Sequence, residues 1–318
     1  MPNMLTLALV VPCYNEEEIF PQTAVKLAQK IRALQSARLV SKKSKVVFVD
    51  DGSQDKTWEL IAEQHRRCPQ IFSGIKLSKN RGHQNALLCG LLTVKDSCDA
   101  VISIDADMQD DITVIDGMVR QFLAGCEIVY GVRNNRQTDG LFKKITAQAF
   151  YKLMSLLGVQ TIYNHADFRL MGRRALDALA EYGEVNLFLR GIIPLLGYKT
   201  GVEYYTRAKR LAGTSKYPFY KMLNFALEGI TSLSIKPIRL ITLLGILLLL
   251  VSLAMIVWSI YRYFSGHTIV GWASLAVSLW AIGGLIIFSI GVIGEYIGKI
   301  YLETKQRPRY IIEKLLNK

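Results

Sequence analysis

The chain has few residues of the kinds that build disulfide or zinc frameworks. Its five cysteines, Cys13, Cys68, Cys89, Cys98 and Cys126, are odd in number, all lie in the first half and form no Cys-x-x-Cys pair. That excludes a disulfide frame and a cysteine zinc site, and it points to reduced, buried thiols on the cytoplasmic side. No Gly-x-Gly-x-x-Gly follows the first apolar run, and the P-loop pattern is absent. Phosphates, if bound, are therefore left to a metal ion and to basic side chains. There are no internal repeats and no low-complexity tract. The apolar stretch 4–12 is too short for a secretory signal and soon meets Glu16, Glu17 and Glu18. Acidic residues are in deficit: 26 Asp and Glu against 39 Lys and Arg, a formal charge of +13 over 318 residues. Such a balance suits anionic headgroups, phosphorylated substrates or nucleic acid.

Charge disappears altogether from two stretches in the C-terminal third, 240–261 and 269–294. Each exceeds the ~20 apolar residues needed to cross a bilayer core. Two transmembrane helices are expected, 238–264 and 269–295, joined as a hairpin by the short connection that carries Arg262 and His267. Positive charge is heavy before the first (Lys216, Lys221, Lys236, Arg239) and after the second (Lys299, Lys305, Arg307, Arg309). The positive-inside rule then puts the N-terminal domain (1–214), the tail (296–318) and both termini in the cytoplasm of a multi-pass inner (plasma) membrane protein. Between domain and membrane, Phe219, Met222, Leu223, Ala226, Ile230 and Leu233 share one helical face. Region 215–237 is read as an amphipathic helix in the membrane interface. Because the basic residues track the membrane flanks, nucleic acid is not an expected partner.

The first half alternates strand and helix patterns. Apolar strands are expected at 5–11, 45–49, 71–77, 100–104 and 127–131, with helices beginning near 16–19, at 55–58, at 84 and after 111. This alternation predicts an α/β fold with a mostly parallel, doubly wound sheet that binds ligands outside the carboxyl ends of its strands. The polar clusters fall at those ends: Asn15-Glu16, Asp50-Asp51, Asn80-Arg81-Gly82, Asp105 to Asp111, and Arg133. The most telling is Asp105-Ala-Asp107-Met-Gln109. Two carboxylates at the end of a buried strand need compensation, because unpaired buried charge is costly. A hard divalent cation supplies it, commonly held by one or two carboxylates and the phosphates of a substrate. Asp105 and Asp107, two residues apart, point to the same side of an extended chain.

Val11-Pro-Cys-Tyr-Asn-Glu-Glu17, Val49-Asp-Asp-Gly-Ser-Gln-Asp-Lys-Thr57, Asn80-Arg-Gly-His-Gln-Asn85 and Asp105-Ala-Asp-Met-Gln109 occur in this order. As a set they resemble glycosyltransferase family 2, with its GT-A fold. Asp167-Phe-Arg-Leu-Met171, Arg210-Leu-Ala-Gly-Thr-Ser-Lys216 and the two apolar stretches narrow the resemblance to polyprenyl-phosphate glycosyltransferases, of the bactoprenol glucosyltransferase and dolichol-phosphate mannose synthase kind. The resemblance implies that Pro12, Tyr14 and Glu16 line a nucleoside pocket, with Asp51 near the base. It implies that Asp105, Asp107 and Gln109 surround Mg2+ or Mn2+ and the donor's diphosphate and sugar. Arg133, Arg169, Arg210, Ser215 and Lys216 would meet the acceptor and donor phosphates. Asp55, with Lys56 and Thr57, is read as a helix cap, and neither His83 nor His165 is promoted to an acid–base role.

The implied reaction is inverting transfer of a hexose from a nucleotide sugar, with UDP-glucose preferred, to a polyprenyl phosphate such as undecaprenyl phosphate. GDP-mannose, UDP-galactose and UDP-N-acetylglucosamine stay open as donors, and a non-catalytic nucleotide-sugar or lipid-phosphate scaffold is the alternative outside catalysis. Asp167 occupies the place where relatives with hydroxyl acceptors keep a base; it is read as orienting Arg169, binding a sugar hydroxyl or being a vestigial base. A processive polysaccharide synthase is disfavoured, because none of Trp58, Trp258, Trp272 and Trp280 follows an arginine. Gly283, Gly284, Gly291 and Gly294 would permit close helix contact in a dimer or tetramer.

Overall fold

The computed structural model describes residues 4–134, 165–185, 187–206 and 271–317, with scattered positions between 238 and 265. Its centre is an 8-stranded sheet in the order β7-β5-β6-β4-β1-β2-β3-β8. The strands are β1 (Leu7–Cys13), β2 (Lys45–Asp50), β3 (Phe72–Leu77), β4 (Ala100–Ser103), β5 (Ile128–Arg133), β6 (His165–Gly172), β7 (Thr200–Tyr205) and β8 (Ile312–Leu316). The helices among them are α1 (Phe20–Ser36), α2 (Thr57–Arg67), α3 (His83–Val94), α4 (Ile115–Leu123), α5 (Arg173–Ala180), α6 (Leu189–Leu195) and α7 (Trp272–Thr304).

β1 is buried along its whole length. A strand covered on both faces needs apolar side chains at every position, and Leu7 to Val11 provide them. Its even residues Ala8 and Val10 belong to one core cluster, with α3, α5 and α6. Its odd residues Leu7, Leu9 and Val11 belong to the other, with α1 and α4. On α1, Phe20, Ala24, Leu27, Ile31 and Leu34 recur at three- and four-residue spacing and are all buried. Each of the larger ones, Phe20, Leu27, Ile31 and Leu34, contributes about 1.5–3 kcal/mol relative to exposure.

The expected parallel core is present: β1 pairs in parallel with β2 and β4, and β2 with β3. The sheet is mixed beyond that. β6 runs antiparallel between β4 and β5, and β8 runs antiparallel to β3. Neither was legible as a strand. β6 buries Asp167 and Arg169 amid its apolar residues, which breaks the pattern a buried strand usually shows. β8 lies at an edge and is mostly exposed.

Only part of the expected two-helix hairpin falls within the described residues. Among the described residues one helix is long and apolar enough to cross a membrane, Ile282–Thr304, the C-terminal part of α7. The first expected span, 238–264, lies partly outside the described residues, and the interfacial helix at 215–237 wholly so. The described positions of that first stretch are helical, with Leu243, Leu247, Leu250 and Trp258 exposed. α7 runs 33 residues and continues past the expected end at 295. Within the segment read as a tail, 296–318, the chain then turns at Gln306 (φ 47°) and enters the sheet as β8.

Candidate active site

The carboxyl ends of β1, β2, β4 and β5 open onto one edge, where the topology reverses direction at β1. Two loops form its first wall. Asn15 N–H donates to Ser53 Oγ (3.0 Å), Gln54 N–H to Asn15 Oδ1 (2.9 Å) and Glu16 N–H to Thr57 Oγ1 (2.9 Å). The Asp55 carboxylate accepts from Thr57 N–H (3.0 Å) and Glu17 N–H (3.1 Å), so it binds the first N–H of α2 from just outside the helix and ties it to the first loop. Pro12 is buried, Glu16 is partly exposed and Tyr14 is exposed. Tyr14 is thus not a core residue but an aromatic surface at the rim.

Asp51 sits at the floor of this wall and is buried. Its oxygens accept from the N–H groups of Arg81 (2.7 Å) and Gly82 (2.9 Å). The carboxylate expected near the base therefore shapes the 80–82 turn. Gly52 (φ +69°) passes so close that a Cβ would lie 2.5 Å from the Lys79 carbonyl carbon. Only glycine fits there.

Beyond β4, Asp105 and Asp107 are partly exposed while Gln109 and Asp110 are buried. The loop turns at Met108, whose φ of 52° is an uncommon conformation for a non-glycine residue. Gln109 N–H donates to Asp107 Oδ1 (3.2 Å). The surrounding protein strips water from Asp105 and raises its pKa; His83 opposes this, while Asp167, Asp110 and Asp107 add to it. Carboxylates crowded in this way suit a divalent cation. Among the described residues no three His, Cys, Asp or Glu side chains group closely enough to hold a metal by themselves. The donor set fits an ion held by Asp105 and Asp107, with Gln109 beside them and substrate oxygens completing the shell.

Two cationic groups flank this loop, one on each face of the sheet. On the α3/α6 face, Asp167 of β6 receives Arg169 Nη2 (2.5 Å), Arg190 Nε (3.1 Å) and Arg190 Nη2 (2.9 Å). His83, the first residue of α3, has Nε2 3.5 Å from Asp105 Oδ1 and 3.6 Å from Asp167 Oδ2. Burial raises the Asp167 pKa, but Arg190, His83 and Arg169 together pull it well below the usual carboxylate range. Burial lowers that of His83, and the hydrogen bond to Asp167 and the charges of Asp105 and Asp167 reverse the sign, so His83 is raised. A carboxylate so held is a poor proton acceptor.

On the α1/α4 face, Arg133 ends β5. Its Nη2 donates to Asp110 Oδ1 (3.3 Å) and its Nε to Tyr205 Oη (3.2 Å), while the Tyr205 hydroxyl donates to Asp110 Oδ1 (2.5 Å). Burial, then Asp110, pushes the Tyr205 hydroxyl upward, so it stays neutral.

Nearly all the site residues expected from sequence therefore meet at one edge: Pro12, Tyr14, Glu16, Asp51, Asp105, Asp107, Gln109, Arg133, Asp167 and Arg169. Arg210, Ser215 and Lys216 lie outside the described residues. Sequence reasoning set His83 aside, gave Asp110 no role beyond its place in the Asp105-to-Asp111 cluster, and missed Arg190 and Tyr205. His83 had a signal, its place in the Asn80-to-Asn85 motif at a helix start. Arg190 and Tyr205 had none, because helix α6 and strand β7 bring them in from remote sequence.

The sequence has relatives among known proteins. Residues 8–180 match the family described as "Glycosyl transferase family 2". The chain is 52% identical to "Uncharacterized glycosyltransferase YkoT" of Bacillus subtilis (strain 168), over 96% of this chain and 91% of that protein. It is 39% identical to "SfII prophage-derived bactoprenol glucosyl transferase" of Shigella flexneri, over 98% of both chains. It is 38% identical to "Prophage bactoprenol glucosyl transferase homolog" of Escherichia coli (strain K12), over 98% of this chain and 99% of that one.

Proposed function

The chain belongs to glycosyltransferase family 2, and we propose that it transfers glucose from UDP-glucose to a polyprenyl phosphate at the cytoplasmic face of the membrane, with inversion at the anomeric carbon. The single observation that carries this reading is likeness along nearly the whole chain, membrane-length apolar helix included, to proteins named bactoprenol glucosyl transferase.

The site chemistry supports it. Tyr14 and Glu16 face the nucleoside, and Asp105, Asp107 and Gln109 face the diphosphate. Asp105 and Asp107, with Gln109 beside them, would hold Mg2+ or Mn2+, which when bound would offset charge on the departing nucleoside diphosphate. Arg133 on one side of the Asp105–Asp107 loop, and the Arg169–Arg190–His83 group on the other, lower the repulsion between acceptor phosphate and donor diphosphate. Arg133 and Arg190, both part-exposed, hold the attacking oxygen in line with the anomeric carbon, while the buried Arg169 acts through Asp167. An α-linked donor then yields a β-linked lipid product. No strong base is required, because a phosphate monoester has a second pKa of about 6 and is largely ionised near neutrality. This fits Asp167, whose carboxylate is engaged by two arginines.

Under this reading α7 and the stretch at 238–264 anchor the domain at the headgroup level, where the acceptor phosphate lies, and Arg210, Ser215 and Lys216 are further groups for the phosphates. The test is product formation by the detergent-solubilised full chain, with undecaprenyl phosphate and a panel of UDP-glucose, UDP-galactose, UDP-N-acetylglucosamine and GDP-mannose, each with and without Mg2+ or Mn2+. Metal-dependent transfer from UDP-glucose alone is expected. Transfer from another sugar corrects the donor, and no transfer with any sugar overturns the reading.

A further inference from the structure

We propose that Tyr205 is a positioning residue for the acceptor phosphate, acting through Arg133. The inference rests on the reading above, in which Arg133 meets that phosphate.

The geometry is specific. Tyr205 Oη accepts from Arg133 Nε at 3.2 Å, and Asp110 Oδ1 accepts from Nη2 at 3.3 Å. One edge of the guanidinium is thus clamped from the protein side. The outer edge, which carries Nη1, belongs to a side chain that is 27% exposed. A planar guanidinium held by one edge presents the other as a fixed fork, the arrangement that recognises phosphate bidentately.

The hydroxyl does what neither a carboxylate nor a phenylalanine does. A second carboxylate would cancel the arginine's charge towards an anion. A phenylalanine would leave Nε without an acceptor and Asp110 with one donor fewer. The Asp110 side chain is almost fully buried, and among the described residues its Oδ2 has no hydrogen-bond partner. An under-satisfied buried carboxylate draws the nearest cation towards itself. Without the tyrosine hydroxyl, Asp110 turns Arg133 inward and away from the cleft. Tyr205 also fixes the surrounding frame. Its ring packs edge-on against Phe168, with centroids 5.6 Å apart, and its carbonyl accepts from Asn134 N–H (2.8 Å), joining the ends of β7 and β5. The chain leaves β7 here, five residues before Arg210.

The experiment uses the full chain in detergent with undecaprenyl phosphate and the donor that the wild type turns over. Tyr205→Phe keeps the ring and its packing. The expected result is a rise in the acceptor KM of about tenfold, the size of one charge-assisted hydrogen bond. The donor KM should stay within about twofold, and kcat should fall by less than the acceptor KM rises. In an Arg133→Ala background, Tyr205→Phe should change the acceptor KM no further, because the hydroxyl acts only through that arginine. An unchanged acceptor KM in the single variant overturns the proposal. So does a parallel loss in donor KM and kcat, and so does a full effect that persists without Arg133. If Tyr205→Phe lowers thermal stability, comparing Arg133→Ala with the double variant still separates positioning from structure. Failure of the broader reading is seen separately, as a wild type that turns over no donor.

Discussion

The Glu303 carboxylate receives the backbone N–H of Val185 on both oxygens, at 2.9 and 2.8 Å. Glu303 lies in the last turn of the long apolar helix, and Val185 precedes the helix that carries Arg190. Nearby, Arg309 Nη1 donates to the carbonyl of Tyr182 at 2.9 Å, and β8 then joins β3. The helix proposed to cross the membrane is therefore fastened to the segment between α5 and α6 and, through β8, to the sheet. Glu303→Ala removes a charged acceptor from a part-buried N–H, which costs about 1–3 kcal/mol. A lower melting temperature is expected, with increased hydrogen exchange at 182–190. Unchanged exchange there would show that the contact holds nothing in place.

Asp167 makes stability depend on pH. Against the upward pull of burial, Arg190, His83 and Arg169 hold its folded pKa well below the ordinary carboxylate value. A depressed carboxylate contributes stability that is complete above the unfolded pKa and is lost as pH falls through the folded one. The wild type should thus lose stability progressively below about pH 4. Asp167→Asn should lack this component of the slope. It should also be less stable near neutrality by about 3–5 kcal/mol, because the buried Arg169 loses its partner. Denaturant midpoints from pH 3 to 7 measure both effects; a variant with wild-type slope and stability would refute them.

Much of this arrangement was legible beforehand. Strands β1 to β5 are short apolar runs that end in polar clusters, so their carboxyl ends marked the site. What failed to show were elements whose local pattern opposes their setting. β6 hides a buried ion pair, Asp167–Arg169, inside a strand. β8 pairs with a partner more than 230 residues away, as Lys314 opposite Lys76 illustrates, and its exposed face carries no core signal. Arg190 and Tyr205 reach the cleft only through that long-range pairing and packing, which local periodicity cannot encode.

Gly52 gives a test independent of catalysis. Its positive φ and the 2.5 Å approach to the Lys79 backbone leave no room for a methyl group. Gly52→Ala should destabilise by about 1–3 kcal/mol, through strain at φ > 0 and displacement of the 79–82 turn. Because that turn leads directly into His83, nucleotide-sugar affinity should fall as well. A melting temperature and donor affinity equal to the wild type would mean that the turn yields freely.

Asp107 and Asp167 should separate when each is changed to asparagine. Asp107 is partly exposed beside Gln109, where an ion and the diphosphate would sit, and Asp167 is already engaged by Arg169 and Arg190. Asp107→Asn should lower kcat/KM by about 10²–10³, the usual effect of removing one group that stabilises developing charge. It should also move the Mn2+ concentration for half-maximal activity upward. A chelator should abolish wild-type transfer, and added Mn2+ should restore it. Asp167→Asn, assayed under conditions where the variant is folded and binds donor, should lose less activity than Asp107→Asn. It should also keep the wild-type metal requirement, because its role is to orient arginines. Complete loss of turnover in Asp167→Asn alone, with donor binding intact, would instead make Asp167 the base for the acceptor, and the phosphate would not arrive ionised.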